Sequence, residues 1–225
     1  MSWLATLSRR RPALLEVGEA YARWAPSYPR EPANEMMRLD QREVLRLLPD
    51  VRGLRVLDVG CGAGRYLDLL ATRGALRVVG LDPEPAMLAR TGGRVPVACA
   101  ALPRLPLPSA AFDVVVCALV VGHLPDLAGA LGELARVLRP GGTLVYSDVH
   151  PAGAAYGWRR TFRGLDGREY AVRHVVHPRS AHETACAAAG LAVDAVAEPR
   201  ADAPGRDGRI PALLVVRARR AGRRA

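Results

Sequence analysis

The stretch VLDVGCGAGRY, Val56 to Tyr66, constrains this chain more than any other. A run of buried-strand residues enters Gly60-x-Gly62-x-Gly64 and passes at once into a helix-forming sequence. Glycines suit such a turn because it needs positive φ and brings the backbone into contact with a ligand at a helix N-terminus. Nicotinamide sites use the same device, but a GxGxxG fingerprint would need its third glycine at position 65, where Arg65 stands. Asp58, just before the turn, would repel a pyrophosphate and welcome a ligand's ammonium group. A second stretch, VVGLDPEPAML (Val78–Leu88), ends a strand on Asp82. Its carboxylate emerges beside the turn and can accept two hydrogen bonds from a ribose diol. The competing role for Asp82 is an N-cap for the following helix.

Around these motifs, short apolar strands alternate with helices. Strands are predicted near Arg55–Val59, Arg77–Leu81, Pro96–Cys99, Asp113–Ala118 and Thr143–Ser147. Helices are predicted over Arg65–Arg73, over Pro85–Arg90, and from Asp126 with Leu127, Leu131, Leu134 and Leu138 on one face. Such alternation means an α/β fold with a parallel sheet covered on both sides. Upstream, Asn34 is placed to cap a helix carrying Met37, Val44, Leu45 and Leu48 on one face. Downstream, Ser180 and Glu183 have capping-box spacing for a helix ended by Gly190. Two final strands follow at Leu191–Ala197 and Pro211–Arg217, with Arg200–Arg209 as a loop between them. Residues 151–178 interrupt the alternation, with strands expected at Trp158–Phe162 and Arg168–Val176 around Gly164–Gly167. An insertion after the fifth strand lies over the carboxyl edge of the sheet, where ligands bind in such folds.

Together these residues resemble the class I S-adenosylmethionine-dependent methyltransferases, in the group that includes ubiquinone/menaquinone-type and other small-molecule enzymes. The resemblance runs from about residue 21 to 150. It includes ARW-x3-Y (Ala22–Tyr28), the glycine turn, Asp82, LPLPSAAFDVVVCALVVGHLPDL (Leu105–Leu127) and ELARVLRPGGTLVYSDVHP (Glu133–Pro151). It implies a Rossmann-like, doubly wound sheet of seven strands in the order 3-2-1-4-5-7-6, the last strand antiparallel, with an N-terminal helical lid and an insertion after the fifth strand. One domain over 1–225 is expected: lid and helix over 1–50, cofactor-binding core over 51–150, substrate cover over 151–178, and a C-terminal helix with two strands over 179–225. The resemblance also implies that Asp58, Gly60, Cys61, Gly62 and Gly64 hold the methionine moiety of S-adenosylmethionine (or its product S-adenosylhomocysteine). Asp82 would then hold the ribose, with Pro83 and Met87 beside the adenosine. Cys117, Ala118 and His123 would flank the cofactor, and Tyr21 and Tyr28 would close over it. The family usually has an acidic residue four positions before Leu105-Pro106. Here it is Ala101, which leaves the backbone of Ala101 or Leu102 to read the adenine edge.

The 225 residues, half of them hydrophobic and with a mean hydropathy of +0.04, suffice for a full core and contain no run of the length a membrane span needs. A short apolar patch precedes Arg9–Arg11, the reverse of a secretion signal. The four cysteines form no CxxC pair and read as reduced thiols of a cytoplasmic protein. The net charge of +10 rests on 32 basic residues, all arginine. Three lie at 9–11 and five at 217, 219, 220, 223 and 224; removing these eight takes the charge from +10 to +2. A solvated basic tail is therefore expected rather than a nucleic-acid surface, and no RNA-recognition motif accompanies it. The expected partner is a small, aromatic or apolar acceptor bound by a monomer or homodimer. A reaction other than methyl transfer on the same cofactor, and RNA or protein methylation, are the alternatives.

An amine acceptor needs only to be neutral, whereas a phenol, carboxyl or carbon acceptor gains from a base with a pKa near 7, which points to histidine. All five histidines (123, 150, 174, 177, 182) lie in the second half. His150, after the fifth strand, is the first candidate base and His174, on the cover, the second. His174-x2-His177-x4-His182 matches no zinc spacing, so no metal is expected. The acceptor is expected between Tyr21, Trp24 and Tyr28 of the lid and Trp158, Phe162 and Tyr170 of the insertion.

Overall fold

A computed structural model describes residues 12–202 and 208–222. In chain order the elements are β1 (Ala13–Leu15), α1 (Val17–Trp24), α2 (Glu35–Leu47), β2 (Arg55–Val59), α3 (Arg65–Thr72), β3 (Arg77–Asp82), α4 (Pro85–Leu88), β4 (Val97–Cys99), β5 (Phe112–Ala118), α5 (Leu127–Val137) and β6 (Leu138–Val149). There follow α6 (Pro151–Ala155), β7 (Thr161–Arg163), β8 (Glu169–Val172), α7 (Arg179–Ala188), β9 (Leu191–Ala197), β10 (Arg200–Asp202), β11 (Arg209–Pro211) and β12 (Leu213–Arg220). Seven strands form the main sheet in the order β4-β3-β2-β5-β6-β12-β9. In the numbering of main-sheet strands alone this is 3-2-1-4-5-7-6, and β12 runs antiparallel to both its neighbours. A three-stranded sheet, β1-β8-β7, and a hairpin, β10-β11, stand apart from it.

The period of two along the strands divides the core. Val115 and Cys117 of β5 pack with Leu131 and Leu134 of α5 and Cys186 of α7. Val114 and Val116 pack on the other face with Leu39, Val44 and Leu47 of α2 and Leu67 and Leu70 of α3. Central strands covered on both faces must be apolar at nearly every position, and β5 is. Asn34 caps α2 by accepting from Met37 N (2.9 Å), and Asp126 caps α5 by accepting from Gly129 N (2.8 Å).

Several expectations need correction. Arg217, Arg219 and Arg220 are not a solvated tail but belong to β12, inside the sheet. The alternate residues Val216 and Ala218 are buried core, and Arg217 and Arg219 both reach Asp194 on β9 (2.7 and 3.1 Å). Arg9–Arg11, Arg223 and Arg224 lie outside the described residues. Helix α7 starts at Arg179, preceded by Pro178 with its fixed φ of −65°. Ser180 therefore sits within the first turn, and Glu183 pairs with Arg179 (3.1 Å) instead of closing a capping box. The insertion strands are shorter than expected: β8 ends at Val172, and His174 and His177 follow it in irregular chain. Part of the segment read as a loop between the last strands is the β10-β11 hairpin.

One buried carboxylate ties the layers together. Asp40 of α2, fully buried, accepts from Arg65 (2.6 Å) and Tyr66 (2.8 Å) of α3 through Oδ2, and from Ser147 of β6 (2.5 Å) through Oδ1. Ser147 Oγ in turn accepts from Leu119 N (3.0 Å), holding that residue at φ +59° just past β5. Asp40→Ala should cost about 3–5 kcal/mol in urea unfolding, because it leaves the Arg65 guanidinium buried without its counter-charge. A loss below about 1 kcal/mol would refute this role. Removing residues 217–225 should abolish the cooperative thermal transition, since it takes half of β12 from between β6 and β9. A truncated chain that melts like the full one would contradict it.

Candidate functional site

The site forms where β2, β3 and β5 end. Gly60 (φ +72°) turns the chain out of β2, and a Cβ at this position would overlap the Val120 side chain. Gly64 (φ +90°) precedes α3 in the left-handed region, where any other residue is strained. Between them the backbone of Gly60, Cys61, Gly62 and Ala63 walls a cleft of about 300 Å³. Asp82, Pro83 and Met87 continue the lining beside this turn, and Ala101, Leu102, Ala118, Leu119 and Val120 complete it. Tyr21 and Tyr28 cover it from the lid, and His123 closes the far end. The structure thus brings together twelve residues singled out from the sequence: Tyr21, Tyr28, Gly60, Cys61, Gly62, Asp82, Pro83, Met87, Ala101, Leu102, Ala118 and His123.

Three others stand behind the wall. Gly64 packs against Thr91, and Cys117 points into the core on the α5 side, fully buried. Asp58 is 1% exposed, and its Oδ2 has no hydrogen-bond partner among the described residues. Asp82 is not the helix cap, a role taken by Glu84, which accepts from Ala86 N. Its Oδ2 accepts from Gly62 N and its Oδ1 from Glu84 N, each at 2.9 Å. One lone pair thus remains on each oxygen. The residues fit a ligand with a vicinal diol and a cationic end: a carboxylate with spare acceptor capacity at the mouth, a wall of backbone, and an orphaned carboxylate oxygen beneath.

Sequence reading missed Arg160. It is 5% exposed, and its Nη1 donates to Leu119 O (3.2 Å), to His123 Nε2 (2.7 Å) and to the Tyr21 hydroxyl. Tyr21 also meets His123 Nε2 at 3.0 Å. His123 Nδ1 lies 3.2 Å from Arg173 O, a carbonyl that can only accept, so this nitrogen carries the proton and Nε2 the lone pair. Burial and the Arg160 charge hold His123 well below the usual histidine range, and burial pushes the Tyr21 hydroxyl up. The three side chains form a neutral-histidine clamp between lid, core and insertion. Only its tyrosine and histidine were visible beforehand, because an arginine in an insertion of an arginine-rich chain carries no signal.

The candidate bases part company. His150 lines neither the cleft nor its neighbouring cavity: Nδ1 caps α6 by accepting from Ala152 N (3.0 Å), and Nε2 faces Glu198 (3.4 Å). His174 Nε2 meets Asp148 Oδ1 at 3.1 Å, and the ring packs edge-on to His123, centroids 6.0 Å apart. His182 and His177 are buried, the former against Tyr146 and the latter against Leu124 O. Among the described residues no group of three or more His, Cys, Asp or Glu is placed to hold a metal ion, and no helix is long and apolar enough to cross a membrane. The aromatics expected to receive an acceptor mostly bury one another. Trp24 stacks on Phe162 (4.9 Å, 9°) and Phe162 on Tyr170 (5.5 Å), fastening lid to insertion.

This arrangement is that of an α/β domain whose cleft, at the carboxyl ends of its parallel strands, suits a nucleoside-bearing ligand. Residues 57–146 match the family described as Methyltransferase domain, of type 11. The chain is 34% identical over 138 residues to a ubiquinone biosynthesis O-methyltransferase of Bradyrhizobium sp. (strain ORS 278), a match covering 58% of this chain and 51% of that one. It is 34% identical over 177 residues to a malonyl-[acyl-carrier protein] O-methyltransferase of Serratia marcescens, covering 76% and 66%. It thus spans about half to two thirds of the length of these curated relatives. A crystal structure of an S-adenosylmethionine-dependent methyltransferase from Mesorhizobium loti superposes with a TM-score of 0.68 at 26% identity, over 80% of this chain and 97% of that one. The chain belongs to the class I S-adenosylmethionine-dependent methyltransferases of the type 11 group, and S-adenosylmethionine is the cofactor that family and fold imply.

Burial pushes the Asp58 carboxyl up to about 7, against the opposing charge of Arg65. The folded carboxyl holds its proton more tightly than the unfolded one, whose value is near 3.8. This group therefore favours folding most below about pH 4, and the advantage is lost as pH rises through 7. Asp58→Asn keeps the shape without the ionisation. The wild-type melting temperature should accordingly fall relative to that of the variant between about pH 5 and 8. Parallel curves would show that Asp58 is not buried as a strained acid.

Proposed function

We propose that the protein transfers a methyl group from S-adenosylmethionine to an oxygen of a small, largely apolar molecule, in the cytoplasm and within a small-molecule biosynthetic route. The observation that carries the reading is the Asp82 carboxylate, with a lone pair left on each oxygen, lining the cleft beside the Gly60–Ala63 turn to which it is hydrogen-bonded. In this reading Gly60, Cys61, Gly62 and Gly64 cradle the methionine moiety with Asp58 beneath. Asp82, Pro83 and Met87 take the ribose and adenine, backbone groups of Ala101 and Leu102 read the adenine edge, and Cys117 and Ala118 support the floor. Tyr21, Tyr28 and His123 close over the cofactor. The choice of oxygen is supported by the relatives' names, both O-methyltransferases.

Bound S-adenosylmethionine supplies a methyl group on a sulfonium sulfur, whose transfer needs an electron pair aligned with the breaking bond and little else. The chain's part is to exclude water, orient the acceptor and remove its proton. His123 is a poor base, since its lone pair already receives the Arg160 guanidinium. His174 is the better one: Asp148 holds Nε2, leaving the lone pair on Nδ1 to take an acceptor proton. Asp148 is then a positioning residue that orients the ring.

Titration calorimetry should show S-adenosylmethionine and S-adenosylhomocysteine binding, and NAD not. Asp82→Ala should weaken both by about 1–3 kcal/mol. Unchanged affinity would remove Asp82 from the ribose site. On whichever member of a phenol and carboxylic acid panel turns over, His174→Gln should lower kcat about a hundredfold with S-adenosylhomocysteine affinity unchanged. His150→Gln should retain turnover; equal effects of the two would undo the assignment of the base.

A further inference from the structure

A second cavity of about 270 Å³ is lined by Arg159 and His174, immediate neighbours of the Arg160 and His123 that line the cleft. Its walls come from every part that the lid and insertion bring together: Leu14 on β1, Met36 on α2, Val149 ending β6, Val172 ending β8, and Trp158, Arg159 and His174 from the insertion. Two features connect the compartments. The successive residues Arg159 and Arg160 line one each. His174 packs on His123, an approach that is possible only because residue 122 is glycine; a Cβ there would overlap both His174 Nε2 and Asp148 Oδ1.

The polar lining of this cavity is one-sided. No carboxylate lines it; Arg159, Arg173 and His174 do. Arg173 is paired with Glu16 (2.6 Å), but Arg159 has no ion pair or hydrogen bond among the described residues. Trp158 Nε1 is buried and likewise donates to nothing among the described residues. It is not free to turn away. Its backbone N–H is bonded to Gly153 O (2.9 Å), its six-membered ring lies where a Cβ of Gly153 would be, and its edge meets Tyr156 at 6.3 Å. A fixed, buried donor without a partner, next to an exposed guanidinium over apolar walls, suits an acceptor atom with negative charge in whatever fills the space. The described residues do not provide one.

The geometry points to this cavity as the acceptor subsite for a small organic acid, a carboxylate on an apolar body. The carboxylate is held by Trp158 Nε1 and Arg159, the body lies against Met36, Val149 and Val172, and the reacting oxygen is presented to His174. This deepens, and rests on, the reading of the site as a methyltransferase. It also restores part of the role expected of the aromatics, with Trp158 the one that faces a ligand while Trp24, Phe162 and Tyr170 serve as fasteners.

The probes are 3-phenylpropanoate and its uncharged amide, titrated calorimetrically into the full chain saturated with S-adenosylhomocysteine and into the chain alone. The acid should bind about tenfold more tightly than the amide, a charge-assisted bond's worth. Arg159→Gln, at an exposed position, should erase that preference. Trp158→Phe should weaken the acid about five- to tenfold, with an unchanged melting curve as control. S-adenosylhomocysteine affinity should be the same in both variants as in the wild type. Equal affinity for acid and amide, no binding of the acid at about 10 mM, or an acid preference that survives Arg159→Gln would overturn the assignment. Failure of the wild type to bind S-adenosylhomocysteine, with the acid preference intact on the chain alone, would instead sink the methyltransferase reading and leave an acid-binding cavity standing.

Discussion

Asp40 is the ion on which the arrangement of the site depends, although it lies in a helix that contributes nothing to the cleft wall. A carboxylate out of water costs several kcal/mol unless it is fully bonded and matched in charge. Here it draws one donor from β6 and two from α3, one of them the Arg65 guanidinium. The position of α3, and so of the glycine turn that opens it, is fixed against α2. Through Ser147 the same carboxylate reaches Leu119, whose left-handed backbone forms the cleft floor. Apolar packing alone would allow these elements to slide by fractions of an ångström; a bonded buried charge does not.

The lid is fastened by different means. Arg90 donates to the carbonyls of Pro26 and Tyr28 (2.9 and 3.1 Å), and Arg30 reaches Asp68 and the carbonyl of Thr91. On its other side, β1 pairs in parallel with β8, and the Trp24–Phe162–Tyr170 stack fills the angle between them. Lid and insertion therefore form one cover with its own small sheet and core, and the two cavities lie beneath it. Aromatic stacking supplies the apolar area and arginine–carbonyl bonds the register.

How much of this could be read from the sequence depended on range. The glycine turn, the Asn34 cap, the start of α5 at Asp126 and the apolar run of β5 are local patterns, and the structure places them within a residue or two. The strand order came from family resemblance, not from any residue. What escaped was non-local. Arg217 to Arg220 looked like tail because alternating arginine and alanine reads as solvent-facing. Only the pairing of β12 with two neighbours, and Asp194 across from it, places those arginines on an inner strand of the sheet. His150 looked well placed because it follows the fifth strand, but α6 begins immediately after it and takes up its lone pair. Trp24, Phe162 and Tyr170 were correctly paired as segments but not in role, since ring-on-ring burial cannot be told from ligand contact by position alone.

Arginine at position 160 has an effect on timing and control as well as on shape. A guanidinium keeps its proton at any pH a cell reaches, and it holds its neighbour His123 neutral. At this point of the latch between cover and core, a neutral histidine receives a charged arginine, so the contact needs no protonated imidazole. With no lysine anywhere in the chain, acylation has no side-chain amine to neutralise either. Opening of this enclosure at the Arg160 contact is left to thermal motion and to the ligand itself, so its rate should follow temperature and occupancy.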